Sequence, residues 1–168
     1  MHRSSMITEQ AVKDRVHHSF NTNGDADYLR IVDEHSEHFW DWFYANAVQY
    51  EIMSTEKAYA DAAFLRNRCI GNSQVGGVRF GLHYVEGFAS SDGQYYLFHG
   101  FNLLNGHVVD VTVNSNLEAF EKSGAPSHYL GIEIPLDFVM GENAELINKN
   151  ILNIPPLIYR YFLSKNVM

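Results

Sequence analysis

Cys69 is the only thiol in the chain and stands in the run Arg66-Asn67-Arg68-Cys69-Ile70-Gly71-Asn72-Ser73-Gln74. Two arginines just upstream favour a thiolate, and a helical turn beginning at Cys69 would add the pull of its free amides. A lowered thiol pKa is what a nucleophilic cysteine requires. The plain alternative is a small buried side chain, because cysteine is among the residues most often found in cores. Downstream, His99 and Asp110 offer the remaining parts of a nucleophilic site. An imidazole held by a carboxylate can take the thiol proton, or pair with the thiolate, and then protonate a departing group. Taken singly, His99 also reads as a solvated strand residue and Asp110 as a hydrogen-bonding group near a turn.

Whether His99 and Asp110 meet depends on the segment between them. Asn105-Gly106 is the strongest local signal in the chain, since both residues tolerate positive φ and favour a tight type I′ hairpin. With those two as turn residues, Leu104 pairs with His107, Phe101 faces Asp110 and His99 faces Thr112. His99 and Asp110 then share one face as diagonal neighbours, about 7–8 Å apart before their side chains lean together. The same alternation sends Val109, Val111 and Val113 to the other, core-facing side.

The remaining elements follow from periodicity and turn chemistry. Thr8 to Ala11 opens a short helix that ends before Asn21-Thr22-Asn23-Gly24. A second helix from Asp25 places Tyr28 or Leu29, Val32, Phe39, Trp40 and Phe43 on one buried stripe. An Ala-rich segment, Thr55 to Leu65, reads as a third helix and leads to Cys69. From Val78 to Phe88 the pattern is strand-like, Ser90-Ser91-Asp92-Gly93 supplies a turn, and Tyr95 to Leu104 is the next strand. His107 to Val113 is its hairpin partner and Tyr129 to Ile134 a fourth strand stopped by Pro135. Short helices at Glu142 to Asn150 and after Pro155-Pro156 close the chain. The expectation is an α+β fold of one domain over 1–168, helices first, then an antiparallel sheet, then helices.

With 46% hydrophobic and 14% aromatic residues, the 168-residue chain can bury a core without disulfides. One cysteine excludes an intrachain bridge and fits a reducing cytoplasm. The formal charge of −8 opposes binding to nucleic acid or to anionic headgroups. Met1 to Met6 carries no apolar leader stretch, and no run approaches the roughly 20 apolar residues of a membrane span. The expected setting is cytoplasmic, with neither nucleic acid nor membrane as partner.

Four blocks, Arg68-Cys69-x-x-Asn72, Tyr84-Val85-Glu86-Gly87-Phe88, His99-Gly100-Phe101-Asn102 and Gly106-His107-Val108-Val109-Asp110-Val111-Thr112, resemble successive blocks of small papain-like cysteine hydrolases related to uncharacterised bacterial and phage proteins. The resemblance covers Asn67 to Thr112, with a weaker echo at Tyr129 to Pro135. It implies a papain-like fold with a catalytic core over 67–135, Cys69 as nucleophile, His99 as base and acid, and Asp110 as its orienter. Two departures stand out. Such proteins often follow the histidine with a small residue and Trp, where this chain has Gly100-Phe101. Papain also stabilises the oxyanion with a glutamine upstream of the cysteine. Here Gln49 is a distant upstream candidate, while Asn72 and Gln74 lie just downstream.

Glu86 is a further cleft candidate, although it can equally cover an edge strand. Glu34-His35-x-Glu37-His38 lacks the His-Glu-x-x-His order and reads as the polar face of a helix. His83, His99 and His107 could join Cys69 around zinc, but close cysteine spacing is missing and the hairpin turns His107 away from His99. Gly71, Gly76 and Gly77 form no phosphate loop. No metal and no cofactor is expected. The leading expectation is a cysteine hydrolase that cleaves a peptide, isopeptide or related amide of a peptide or protein substrate through a thioester. A catalytically inactive papain-like binding module and a transglutaminase-type acyltransferase are the alternatives.

Overall fold

The computed structural model describes residues 34, 38–50, 52, 59–149, 151 and 154–165. Helix α1 covers residues 38–46, β1 is Val48–Tyr50 and α2 is Cys69–Phe80. Strands β2 (His83–Ser90), β3 (Leu97–Leu104) and β4 (His107–Val109) follow, then two short helices, α3 (Val111–Ser115) and α4 (Leu117–Ser123). Strand β5 (His128–Ile134) and helices α5 (Leu136–Asn148) and α6 (Ile158–Lys165) complete the described chain. The strands form one sheet in the order β1-β5-β2-β3-β4, antiparallel throughout. Helices therefore precede and follow an antiparallel sheet.

Alternation divides β2 between two environments. Tyr84 and Phe88 point to the larger core with Leu130, Ile132 and Ile134, where α1 contributes Phe39, Trp40 and Phe43 and α6 contributes Tyr159 and Phe162. Phe39 stacks on Tyr159 at 4.2 Å, and Phe43 meets Phe88 edge-on at 5.4 Å between ring centroids. Each such buried ring stabilises the fold by about 1.5–3 kcal/mol. Val85 and Ala89 point the other way, into a smaller apolar cluster with Phe101, Leu103, Val108 and Tyr129.

The sheet curls where glycine faces glycine. Gly87 pairs with His99 on one side and with Gly131 on the other. A Cβ on Gly87 would collide with the Leu130 carbonyl oxygen and the Gly131 Cα, so β2 and β5 approach more closely here than a side chain permits. Missing side chains at paired positions let a sheet bend sharply.

Several elements differ from their sequence expectation for local reasons. Residues 59–65 form turns rather than the end of a helix: Tyr59 is left-handed at φ 65, and the Asp61 side chain accepts from the Ala63 amide at 2.8 Å. Helix α2 runs through Phe80, where a strand was expected, until Gly81 at φ 67 caps it and β2 begins at His83. Strand β3 begins at Leu97 rather than Tyr95, because the Gln94 and Tyr95 amides both donate to Asp92 at 2.9 Å. Strand β1 was not anticipated. Helix α5 starts directly after Pro135, six residues ahead of Glu142, and kinks at Asn143, whose amide reaches Gln74 Oε1 at 2.9 Å.

The hairpin turn has the expected register, with Leu104 opposite His107, but β4 stops at Val109. Asp110 ends it by capping α3, accepting from the Thr112 and Val113 amides at 3.1 Å each. Thr112 therefore does not face His99 across a ladder, and Asp110 does not face Phe101. Val111 and Val113 are buried from a helix rather than a strand. The helix expected from Thr8, and Tyr28, Leu29 and Val32 of the second, lie outside the described residues, as do 55–58 of the third.

Candidate active site

Cys69 is the first residue of α2, with Arg68 at the cap position, no side chain capping the helix and no acidic residue in its first turn. The first-turn amides of a helix have no acceptor within it and carry partial positive charge, which favours an anion at this end. Gly100 brings that end to the sheet. A Cβ there would stand 2.5 Å from Ser73 Oγ and 3.1 Å from Ile70 Cα, so α2 packs directly against the β3 backbone. The half-buried Cys69 then accepts a hydrogen bond from the Gly100 amide and shares one with the ring of His99.

His99 and Asp110 are both buried, at 9% and 7% exposure. His99 Nε2 lies 2.7 Å from Asp110 Oδ2, which leaves Nδ1 as the ring nitrogen for the sulfur. The same carboxylate oxygen accepts from Tyr129 Oη at 2.8 Å, and the other accepts the two α3 amides. Asp110 is thus held by four contacts and cannot swing away from His99. Phe101 stacks on the imidazole at 6.4 Å and walls its face.

These contacts set the protonation states. Burial pushes the Cys69 thiol up, but the charge of His99, its hydrogen bond and the Gly100 amide together bring it below its ordinary value, against opposition from Asp110. Burial pulls His99 down, but the charges of Asp110 and Cys69 and their hydrogen bonds carry it well above its ordinary value. Burial raises Asp110, and His99, the Val113 amide and Tyr129 outweigh that, so it stays a carboxylate. Burial and the Asp110 charge raise Tyr129 well above an ordinary phenol, which keeps it a proton donor to the carboxylate. A thiolate and imidazolium beside a carboxylate form a nucleophile ready for a carbonyl carbon.

Comparison with family models, curated proteins and solved structures found no match to this chain.

The other candidates lie apart from this cluster. Both amide protons of Asn72 are engaged, with Leu65 O at 2.8 Å and Thr112 Oγ1 at 2.9 Å, so it ties α2 to α3. Gln74 is fully buried and donates to Tyr84 Oη and to Pro155 O, each at 3.2 Å. Neither has a proton left for an oxyanion. Gln49 is exposed on β1, opposite Leu130, and borders a hollow with Tyr50 and His128. The backbone donor in contact with the sulfur is instead the Gly100 amide. Glu86 neither covers an edge nor lines the cleft. It is fully buried on the central strand β2, on the sheet face away from His99, bonded to Tyr84 Oη and to the Leu157 and Ile158 amides at 2.7 and 2.8 Å.

The His83 ring contacts Glu133 on the surface. Among the described residues no group of three or more His, Cys, Asp or Glu side chains is arranged to hold a metal. Glu34 and His38 are exposed, and residues 35–37 lie outside the described residues. No helix among the described residues is long and apolar enough to cross a membrane. Sequence reasoning missed the Gly100 amide and Tyr129, although Tyr129 opens the weaker echo block and Gly100 follows the histidine.

Proposed function

We propose that the protein is a cysteine hydrolase of papain-like fold that cleaves a peptide, isopeptide or related amide through a thioester. One observation carries the proposal: the sulfur of Cys69, at a helix start, is in hydrogen-bond contact with an imidazole whose other nitrogen is held by Asp110 at 2.7 Å. The order of helix-borne cysteine, strand-borne histidine and following acid supports the papain-like reading. A reducing cytoplasm suits a reaction that needs the thiolate.

Cys69 Sγ adds to the amide carbonyl carbon and the electron pair moves to oxygen. The free amides at the start of α2 are the donors available to that oxyanion. His99 gives its proton to the amide nitrogen, the C–N bond breaks, the amine departs and a thioester remains. Water then attacks the thioester while His99 takes its proton, and the C–S bond breaks to return the thiolate and release the acid. Asp110 stabilises the imidazolium throughout.

Alkylation of Cys69 by iodoacetamide against pH tests the proposal, with His99→Ala alongside and folding checked by circular dichroism. A midpoint well below the roughly 8.5 of a free thiol, shifting in the variant, is expected. A thiol that is inert, or titrates ordinarily in both proteins, overturns it.

A further inference from the structure

The imidazole that serves the nucleophile also lines a cleft of about 370 Å³. Its apolar wall includes Leu97, Phe98 and Phe120, and Arg66 stands at its edge. The Arg66 guanidinium lies 5.6 Å from the centre of the Phe120 ring and reaches Ser123 Oγ at 3.4 Å. It makes no ion pair among the described residues. Arg79 and Arg160, by contrast, each bind a carboxylate, Asp61 at 2.9 Å and Glu142 at 3.1 Å. In a chain of formal charge −8, a guanidinium that rests on an aromatic ring and a hydroxyl keeps most of its five N–H donors for another acceptor. Asp92 borders the same cleft, but its Oδ1 is committed to the Gln94 and Tyr95 amides and Ser90 Oγ, all at 2.9 Å.

We infer that this cleft is a specificity pocket and that Arg66 takes a carboxylate of the substrate there, the apolar wall receiving the methylene stem that carries it. The inference rests on the hydrolase reading and narrows the substrate to an amide beside an acidic group. Two sources share that chemistry: a Glu or Asp side chain next to the scissile bond, or the free α-carboxylate of a γ-linked glutamate.

Three reagents that alkylate Cys69 by displacing chloride test it: a glutamyl chloromethyl ketone activated at the α-carbonyl, its isomer activated at the γ-carbonyl with a free α-carboxylate, and the neutral glutaminyl analogue. Second-order rates are followed by intact mass for the wild type, Arg66→Gln and Arg68→Gln. One acidic reagent should outpace the neutral one by about tenfold, as a charge-assisted contact implies, and which isomer does so names the source. Arg66→Gln should abolish that ratio. Because the ratio divides out the intrinsic reactivity of the thiol, iodoacetamide on the same samples separates the two claims. An activated thiol with no acidic preference, or with a preference lost in Arg68→Gln and retained in Arg66→Gln, overturns the pocket alone. An unactivated thiol overturns the hydrolase reading beneath it.

Discussion

Tyr129 Oη and His99 Nε2 converge on the same oxygen of Asp110, at 2.8 and 2.7 Å. One carboxylate oxygen therefore orients the imidazole while being fixed by a phenol from a strand two places across the sheet. Asp110 also caps α3 through its other oxygen, so its charge and its capping role can be separated by substitution.

Asp110→Asn keeps a good cap residue but removes the charge. Asp110 raises His99 and opposes the lowering of Cys69. Both limits of the thiolate–imidazolium window should therefore move to lower pH, visible as a downward shift of both limbs in the pH profile of alkylation or turnover. Asp110→Ala should shift them likewise and lose about 1 kcal/mol more in denaturant melts, because the cap goes too.

Tyr129→Phe removes one donor from the carboxylate and leaves the ring packing on Phe101. A hydrogen bond to a charged group contributes about 1.5–3 kcal/mol, and urea denaturation should read a loss in that range. The upper limb of the pH profile of Cys69 alkylation, set by His99, should move up in pH as the carboxylate becomes a stronger acceptor for the imidazolium.

Gly100→Ala forces the start of α2 off β3, since its Cβ meets Ser73 Oγ at 2.5 Å and the Ile70 backbone at 3.1 Å. The expected outcome is a loss of about 1–3 kcal/mol and slower Cys69 alkylation, because sulfur and imidazole separate. Gly141→Ala on α5 meets nothing within 4 Å and should gain about 0.5–1 kcal/mol with alkylation unchanged.

Glu86 is pushed up from 4.5 to about 7, chiefly by burial, against the Tyr84, Leu157 and Ile158 hydrogen bonds. In that interval the folded chain binds a proton that the unfolded chain has released, so stability falls as pH rises from 4.5 to 7 and levels beyond. The fall should be about 3 kcal/mol in urea melts taken across those pH values. Glu86→Gln should lose the slope whatever its absolute stability.

The features legible in the sequence are those that short stretches of chain decide. Asn105 and Gly106, at φ 52 and 81, set the turn and its first pairs by their own backbone freedom. Phe39, Trp40 and Phe43 are buried as their spacing implied. The features that escaped depend on side chains competing for backbone or on distant contact. Val111-Thr112-Val113 has strand propensity, yet one carboxylate at Asp110 turns it into a helix. The approach of Cys69 to His99 spans thirty residues and depends on an absent side chain at Gly100, which reads in a sequence as nothing more than a weak point in a strand. The donors of Asn72 and Gln74 looked free because their partners, Thr112 and Pro155, come from remote segments.

The hairpin also acts as a ruler. His99 and Asp110 stand at fixed distances along its two limbs from the Asn105-Gly106 turn, and only three ladder pairs separate that turn from the point where β4 ends. Inserting or deleting a single residue at the turn would therefore slide the acid past the base while leaving every side chain of the cluster in the chain. Reactivity of Cys69 thus doubles as a gauge of hairpin register, and a loop-length series read by alkylation would measure how much slippage that gauge tolerates.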